Sequence, residues 1–550
     1  MRYCVITGLL ISLALALSPG GSFRYQSTAF LFEDDYDLLF DPARIPLIQG
    51  SRVYTNLSNF VSNEEEQFGF QTENFFLIGG STDLIGYIYP GAVLDRYCQK
   101  IPLPTGLLGR DESDTLRGDA KTIETEWLDL DGNGSYDHRV TVINERKAWD
   151  ESSIIDYYLG LGFKMSDLRL GLGFLNNSET FTYTDPTYNW IRSRTDSSLI
   201  SGALTYTIND TFTGPDKFKK DSKRFILSGW YDFEQLSVGI MTGFTPIARD
   251  SNYVHIGKTF EDRSPANPAI QDYDKATMLD SLTKHWSGVS IPIGLSVFYK
   301  PKGNIDSRFF LNFFTGSEKL DKGAGSFQHN TMDSTGRPGY AKLDERTEHI
   351  YRGGSTSKGF NFKTIQLFKV SERFDLGFGL GFGAWDFQDS LADTLAQDSV
   401  YEYNNGDTIA GTEDYRVRTK SSQEWLRKVS GAGKTFSIPV GFDFRLVPSL
   451  SLRLGAIHQV VWTDITTTDL LRAFEPTHTR IEYGDSTFTE QVEPASELQA
   501  TSETTRKTEH STYFTYGLGF NPVKNLAIDI MGFRNLTNLT NWKLSVTFKF

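Results

Sequence analysis

Oxygen-bearing side chains recur at alternate positions in the run Asp129-Leu130-Asp131-Gly132-Asn133-Gly134-Ser135-Tyr136-Asp137. Counted from Asp129, they fall at positions 1, 3, 5 and 9 with glycine at 6, the front of an EF-hand-type calcium loop in which Ser135 would give its carbonyl. Hard cations are held by clustered oxygens, so Asp129, Asp131, Asn133, Ser135 and Asp137 are the candidate metal ligands and Ca²⁺ the only cofactor suggested. Position 12 is Val140 where the pattern wants a bidentate Glu, so affinity should be weak, of the order of millimolar to submillimolar. A second reading stands beside it. Asn133-Gly134 is the favoured pair for a type I′ turn, with residues 123–130 and 138–143 as the strands of a plain hairpin.

Nothing else in the chain promises covalent chemistry. The eight histidines are scattered. His458 falls near the outer end of one expected strand and Ser437 on its neighbour, but no third group marks them as base and nucleophile. There is no phosphate loop, Cys/His cluster or nucleophile elbow, so the chain reads as a non-enzyme. The net charge of −14 argues against a nucleic-acid partner. Of the two cysteines, Cys4 precedes an apolar leader and Cys98 would be alone after its removal, which excludes an internal disulfide.

The elements that position these residues are strands. Phe436, Ile438, Val440, Phe442 and Phe444 alternate with Ser437, Pro439, Gly441, Asp443 and Arg445, a period of two with one apolar face. A second such strand, residues 450–462, follows after only Val447-Pro448-Ser449. The same pairing with a short turn recurs at 157–164 with 168–175, 225–232 with 236–244, and 289–299 with 308–314. It recurs again at 362–370 with 374–385, and at 513–520 with 526–533. Long polar stretches, among them the acidic 386–414 and 464–503, separate the pairs. Short turns on one side and long segments on the other predict a transmembrane antiparallel up-and-down β-barrel with short periplasmic turns and long extracellular loops. Aromatic residues at 14%, with 41 Phe and 25 Tyr, suit the girdles of such a barrel. No stretch after the leader reaches the roughly 18 apolar residues of a membrane helix.

With the terminal strand 541–550 the pairs give thirteen strands, and 52–60, 67–78 and 84–89 raise the count to sixteen, or fourteen if the first two belong to an inner plug. Segments such as 198–208 would extend as hairpins above the membrane. Charges on these strands cannot face lipid cheaply, so Arg169, Asp443, Arg445 and Arg453 should line the lumen. Leu-Gly-Leu-Gly-Phe occurs at 159–163 and 170–174, with Gly-Leu-Gly-Phe at 379–382 and 517–520. Glycine on the inner face would leave room where strands curve or another backbone comes close.

The two ends carry family resemblances. Arg2, the apolar run 5–17 and the small residues 20–22 form a secretory signal peptide, taken here as residues 1–22 with the cut after Ser22. The chain closes on Trp542, Leu544, Val546, Phe548 and Phe550 in alternation with polar residues. That aromatic end resembles the C-terminal signature of bacterial outer-membrane β-barrel proteins, and implies delivery to the barrel-assembly machinery and residence among outer-membrane lipids of a Gram-negative-type bacterium. Asp41-Pro42-Ala43, within a segment 23–50 that is either periplasmic or a plug, resembles the Asn-Pro-Ala of the N-terminal hatch in the long-chain fatty-acid transporter family. That resemblance implies passive uptake of hydrophobic compounds by the barrel, residues 51–550. The solute stays unidentified. A porin-like channel or transporter is the first functional expectation, and a surface adhesion or ligand-binding barrel acting through its long outer loops is the alternative.

Overall fold

The computed structural model describes residues 21–58, 72–108, 115–267, 272–301, 303–335, 339–407, 411–494, 500–533 and 543–550. Residues 1–20 of the leader expected over 1–22, the ends of the first two expected strands (59–60 and 67–71) and the start of the last lie outside the described residues.

Three short helical turns come first: α1 (Phe23–Ser27), α2 (Asp35–Leu38) and a 3₁₀ turn (Pro42–Leu47). The strands are β1 (Arg52–Ser58), β2 (Thr72–Ser81), β3 (Ile88–Pro102), β4 (Pro104–Leu108), β5 (Thr115–Leu128), β6 (His138–Met165), β7 (Leu168–Thr184), β8 (Trp190–Ser198), β9 (Leu204–Thr213), β10 (Asp216–Asp232) and β11 (Leu236–Asp262). They continue with β12 (Asp272–Tyr299), β13 (Ile305–Thr335), β14 (Tyr340–Lys369), β15 (Phe374–Asn404), β16 (Tyr415–Val447), β17 (Leu450–Phe474), β18 (Thr477–Tyr483), β19 (Phe488–Glu493), β20 (Ala500–Val523), β21 (Leu526–Phe533) and β22 (Lys543–Lys549).

Sixteen of these strands close into an antiparallel barrel. Going round, β1 pairs β2, then come β3, β6, β7, β10 to β17, β20, β21 and β22, and β22 returns to β1 with Arg52 opposite Lys549. Closure removes every edge in the bilayer, the condition for a sheet in lipid. The closing seam continues past the ladder, where Ser51 and Phe550 exchange backbone hydrogen bonds of 3.3 and 3.0 Å.

Alternation decides what each strand shows to lipid. Phe225 and Leu227 are exposed on the outer face of β10, while Ile226, Ser228 and Trp230 between and beyond them are buried within. Ile291, Ile293 and Leu295 on β12, and Phe378, Leu380 and Phe382 on β15, continue the outer band. Outward aromatics touch across strands, Tyr157 to Phe174 to Phe225 and Phe313 to Phe360 to Phe382, with ring centroids 5.2 to 6.2 Å apart. These lie six to nine residues above the periplasmic ends of their strands, most of the roughly 9–11 residues a strand needs to cross a bilayer.

Above that level the wall keeps rising. β12 to β16 run 28 to 33 residues each, so roughly twenty residues of each stand clear of the hydrocarbon. Where β3, β7 and β10 stop pairing, β5, β8 and β9 take their places: β5 pairs the upper half of β6, β6 pairs β8, β8 pairs β9, and β9 pairs β11. The hairpin expected near 198–208 is β8–β9. The long outer segments, read from sequence as loops, are therefore largely strand; 386–404 is ladder almost to the tip of β15. One strand was misplaced. Residues 84–89 were expected to be the third strand, yet 82–87 form the connection from β2 and the strand begins at Ile88. Leu84, Ile85 and Tyr87 are more than 60% exposed.

Candidate functional site

The segment from Gly21 to Gly50 lies inside the periplasmic half of the barrel. Its apolar residues Leu31, Leu39, Ala43 and Ile45 are at most 1% exposed. One cluster packs Tyr36, Leu39, Phe40, Ile45 and Ile48 on Tyr54, Leu77, Val93, Tyr158 and Ile226 of the wall, and another sets Leu31 and Phe32 on Ile365.

Wall glycines make the berth. A Cβ on Gly162 of β6 would sit 2.7 Å from the ring of Pro46. One on Gly171 of β7 would collide with the backbone at Pro42 and Ala43. On the opposite side a Cβ on Gly441 of β16 would sit 2.5 Å from the carbonyl oxygen of Thr28. In the phrases of β6 and β7, Gly162 and Gly171 thus serve close approach of a second backbone, as Gly441 does on β16, which only a residue without Cβ permits.

Charges then fix the register of the plug. Asp41 caps the 3₁₀ turn through Ala43 N–H (3.3 Å) and accepts from Trp230 Nε1 (2.6 Å), while Ala43 N–H also donates to Ser228 Oγ at 2.9 Å. Arg44 grips Glu33 with two guanidinium nitrogens at 3.1 and 2.8 Å, and Arg308 of β13 joins the same carboxylate at 2.6 Å. Burial alone would raise the Glu33 carboxyl, but Arg44 and Arg308 prevail and hold it down to about 2. Arg52 donates to Asp35 at 2.8 Å, and Lys363 of β14 to the Phe30 carbonyl at 3.0 Å.

The expected lumen residues are placed as follows. Asp443 and Arg453, opposite one another on β16 and β17, are 4% and 6% exposed. Arg24 of the plug donates to Asp443 at 3.1 Å, and Arg453 bridges Asp443 and Asp529. Arg169 is buried beside Asp232 and the Trp230 ring. Arg445 sits at the periplasmic rim, half exposed, near Asp375 and the Glu372 carbonyl. Three of the four therefore bear on the plug and its rim contacts rather than on open water. Ser437 stands opposite Gln459 and His458 opposite Ile438, so alternation puts the serine and the histidine on opposite faces of the wall.

Above the plug the lumen wall holds a small pocket open to solvent. Met241, Pro292 and Phe314 give it apolar walls; Arg224, Asn312 and Asn361 give it polar ones. Arg224 spends Nε on Thr245 Oγ1 at 3.3 Å, and its buried Nη1 has no hydrogen-bond partner among the described residues. Sequence reading missed this group, as it missed Arg308 and Lys363. The parity that turned Asp443 inward applies equally to all three.

On the extracellular side, Asp129, Asp131 and Asp137 bring carboxylate oxygens within 4.8 Å of one another. Asp129 accepts from the backbone N–H of Gly132, Asn133 and Gly134, and Asp137 accepts from those of Leu130 and Asp131. The Leu130 bond, helped by His138, keeps Asp137 below the ordinary carboxylate range. β5 and β6 form the hairpin, but Leu128 opposite His138 is its last pair, and positive φ falls on Gly132 and Gly134, not on Asn133. The two-residue type I′ turn of the plain-hairpin reading is replaced by a nine-residue loop, 129–137. Val140 is buried in β6 and adds no ligand.

The molecule is a plugged sixteen-stranded transmembrane barrel. No protein-family model matches the chain, and no curated protein does. Among solved structures it is similar to the toluene transporter TbuX of Ralstonia pickettii (9% identity, TM-score 0.31, covering 97% of this chain and 99% of that one). It is also similar to a deltaS2S3 mutant of the TodX monoaromatic hydrocarbon channel (12%, 0.32, 96% and 99%) and to the ferric yersiniabactin uptake receptor FyuA of Yersinia pestis (9%, 0.26, 91% and 80%).

Proposed function

We propose that this protein is an outer-membrane channel or transporter through which a small, largely apolar solute passes, with residues 21–50 closing the periplasmic mouth. The observation that carries the reading is the pocket above the plug. Its apolar faces suit a hydrocarbon body, and the spare Arg224 guanidinium with Asn312 and Asn361 suits one anionic or hydrogen-bond-accepting end. The likeness of Asp41-Pro42-Ala43 to the fatty-acid transporter hatch agrees with it. The test is uptake into protein-loaded liposomes of toluene and of a medium-chain fatty acid. Arg224→Met should slow the acid severalfold and leave toluene alone; a variant that moves neither solute differently from wild type removes the pocket from the route.

The wall of β12 to β16, standing far above the bilayer, favours a second reading as a surface-binding barrel. An intact protein that passes neither solute but binds cells or glycans through that wall would support it. We further propose that the 129–137 loop takes one calcium ion, with Asp129, Asp131, Asn133, the Ser135 carbonyl and Asp137 as ligands.

A further inference from the structure

We propose that export processing cuts this chain upstream of Ser22, at Gly20–Gly21 or Gly21–Ser22, so that the new α-ammonium joins the buried carboxylates Asp34 and Asp37. The inference rests on the reading of an exported barrel and fixes the start of its plug. Small residues at 18 and 20–22 allow a cut after Ser22 as well, but Ser22 has structural duties. It caps α1, its Oγ accepting from Tyr25 N–H at 3.0 Å. Its backbone N–H donates to Asp37 Oδ1 and its Oγ to Asp37 Oδ2, both at 2.7 Å. A cut after Ser22 would strip Asp37 of both donors and leave only the Asp34 N–H at 2.8 Å.

The two carboxylates also want a cation. Asp34 and Asp37 form a capping box around α2, and neither has an ion pair among the described residues. Arg24, a counter-charge that acts on Asp34, is engaged by Asp443. Burial raises both carboxyls, Asp529 adding to the rise at Asp34 and Asp34 to that at Asp37. Hydrolysis by a leader-cleaving endopeptidase adds one water across the peptide bond. The leader departs with a new carboxylate, and the retained amine, protonated at neutral pH, arises beside Asp37, where an uncut chain offers only an amide.

Intact-mass measurement of the protein from outer membranes reads the first residue. Gly21 or Ser22 is expected; Phe23 or later, or residue 20 or earlier, overturns the proposal. A chain never exported would fail the membrane reading itself, whereas an exported barrel starting at Phe23 fails this inference alone. The pairing is read from Asp37→Asn. The ammonium's pKa, ordinarily about 7.7–8.0, is raised by pairing, so its stabilisation is present below that value and lost as pH rises through the folded one. The groups facing it are Asp34, Glu33, Tyr25 and Arg24 of the plug and Asp529 of the wall. At pH 7 the variant should lose its folded electrophoretic form on heating at least tenfold faster than wild type, and the gap should close by pH 10. A gap equal at both pH values overturns the pairing.

Discussion

Replacing Gly171 by leucine should unseat the plug without opening the wall. Even the first added carbon would collide with Ala43 N and the Pro42 carbonyl carbon, and would lie 2.8 Å from Pro42 Cβ, where ordinary carbon contacts are about 3.5–4.0 Å. These atoms cannot retreat freely. Asp41 is tied to Trp230 at 2.6 Å and Ala43 to Ser228 at 2.9 Å, so a shift of about 1 Å carries the latter past bonding distance. Overpacking costs about 1–3 kcal/mol and loss of the Ser228 bond, with Asp41 Oδ1 still accepting from the same N–H, about 0.5–1.5 kcal/mol more, roughly 1.5–4.5 kcal/mol against the seated plug. In planar bilayers Gly171→Leu should conduct more than wild type while keeping wild-type heat-modifiability. Gly229→Ala is the control, because on the lipid side of β10 its added carbon meets nothing nearer than 3.4 Å. Wild-type conductance from a folded Gly171→Leu barrel would refute the idea that wall glycines exist to admit the plug.

Calorimetry should register one weak calcium site in wild type and none in the Asp129→Ala, Asp131→Ala double mutant; equal heats from the two leave the loop a simple hairpin cap. Ile293→Arg, placing a charge on the lipid face of β12, should cost roughly 2–4 kcal/mol near the bilayer midplane, read as a drop in the denaturant midpoint of the refolded barrel. An unchanged midpoint would mean that this face does not meet lipid. Deleting Phe550 removes both seam hydrogen bonds to Ser51 and should lower the yield of heat-modifiable barrel in the outer membrane, whereas a normal yield would show that neither the seam extension nor the terminal aromatic matters to assembly.

The barrel was legible because a strand in lipid must alternate, and residues 436–444 alternate without a break. The same rule turns Asp443 and Arg453 inward from the sequence alone. It failed where its cause disappears. Above the bilayer both faces of a strand meet water, so 386–404 carries no period-two signal and reads as loop although it is ladder. Leu84, Ile85 and Tyr87 misled in the other direction, as apolar residues in an exposed connection that resemble the start of a strand. The choice between plug and periplasmic segment for residues 23–50 stays open in the sequence for a third reason. The plug's berth depends on Gly162, Gly171 and Gly441 meeting residues 28 to 46 across the lumen, a juxtaposition that no local pattern records. The glycines read as room for another backbone, but nothing local identifies residues 28 to 46 as that backbone.

Single-channel recording of the barrel lacking residues 23–49 tests the central claim most directly. If that segment is the gate of a solute channel, the truncated protein should remain a heat-modifiable barrel and show a stable conductance well above that of the intact protein, with modest ion selectivity because Asp443, Asp529 and Arg453 mix both signs at its floor. A folded, truncated barrel no more conductive than the intact one would contradict the account.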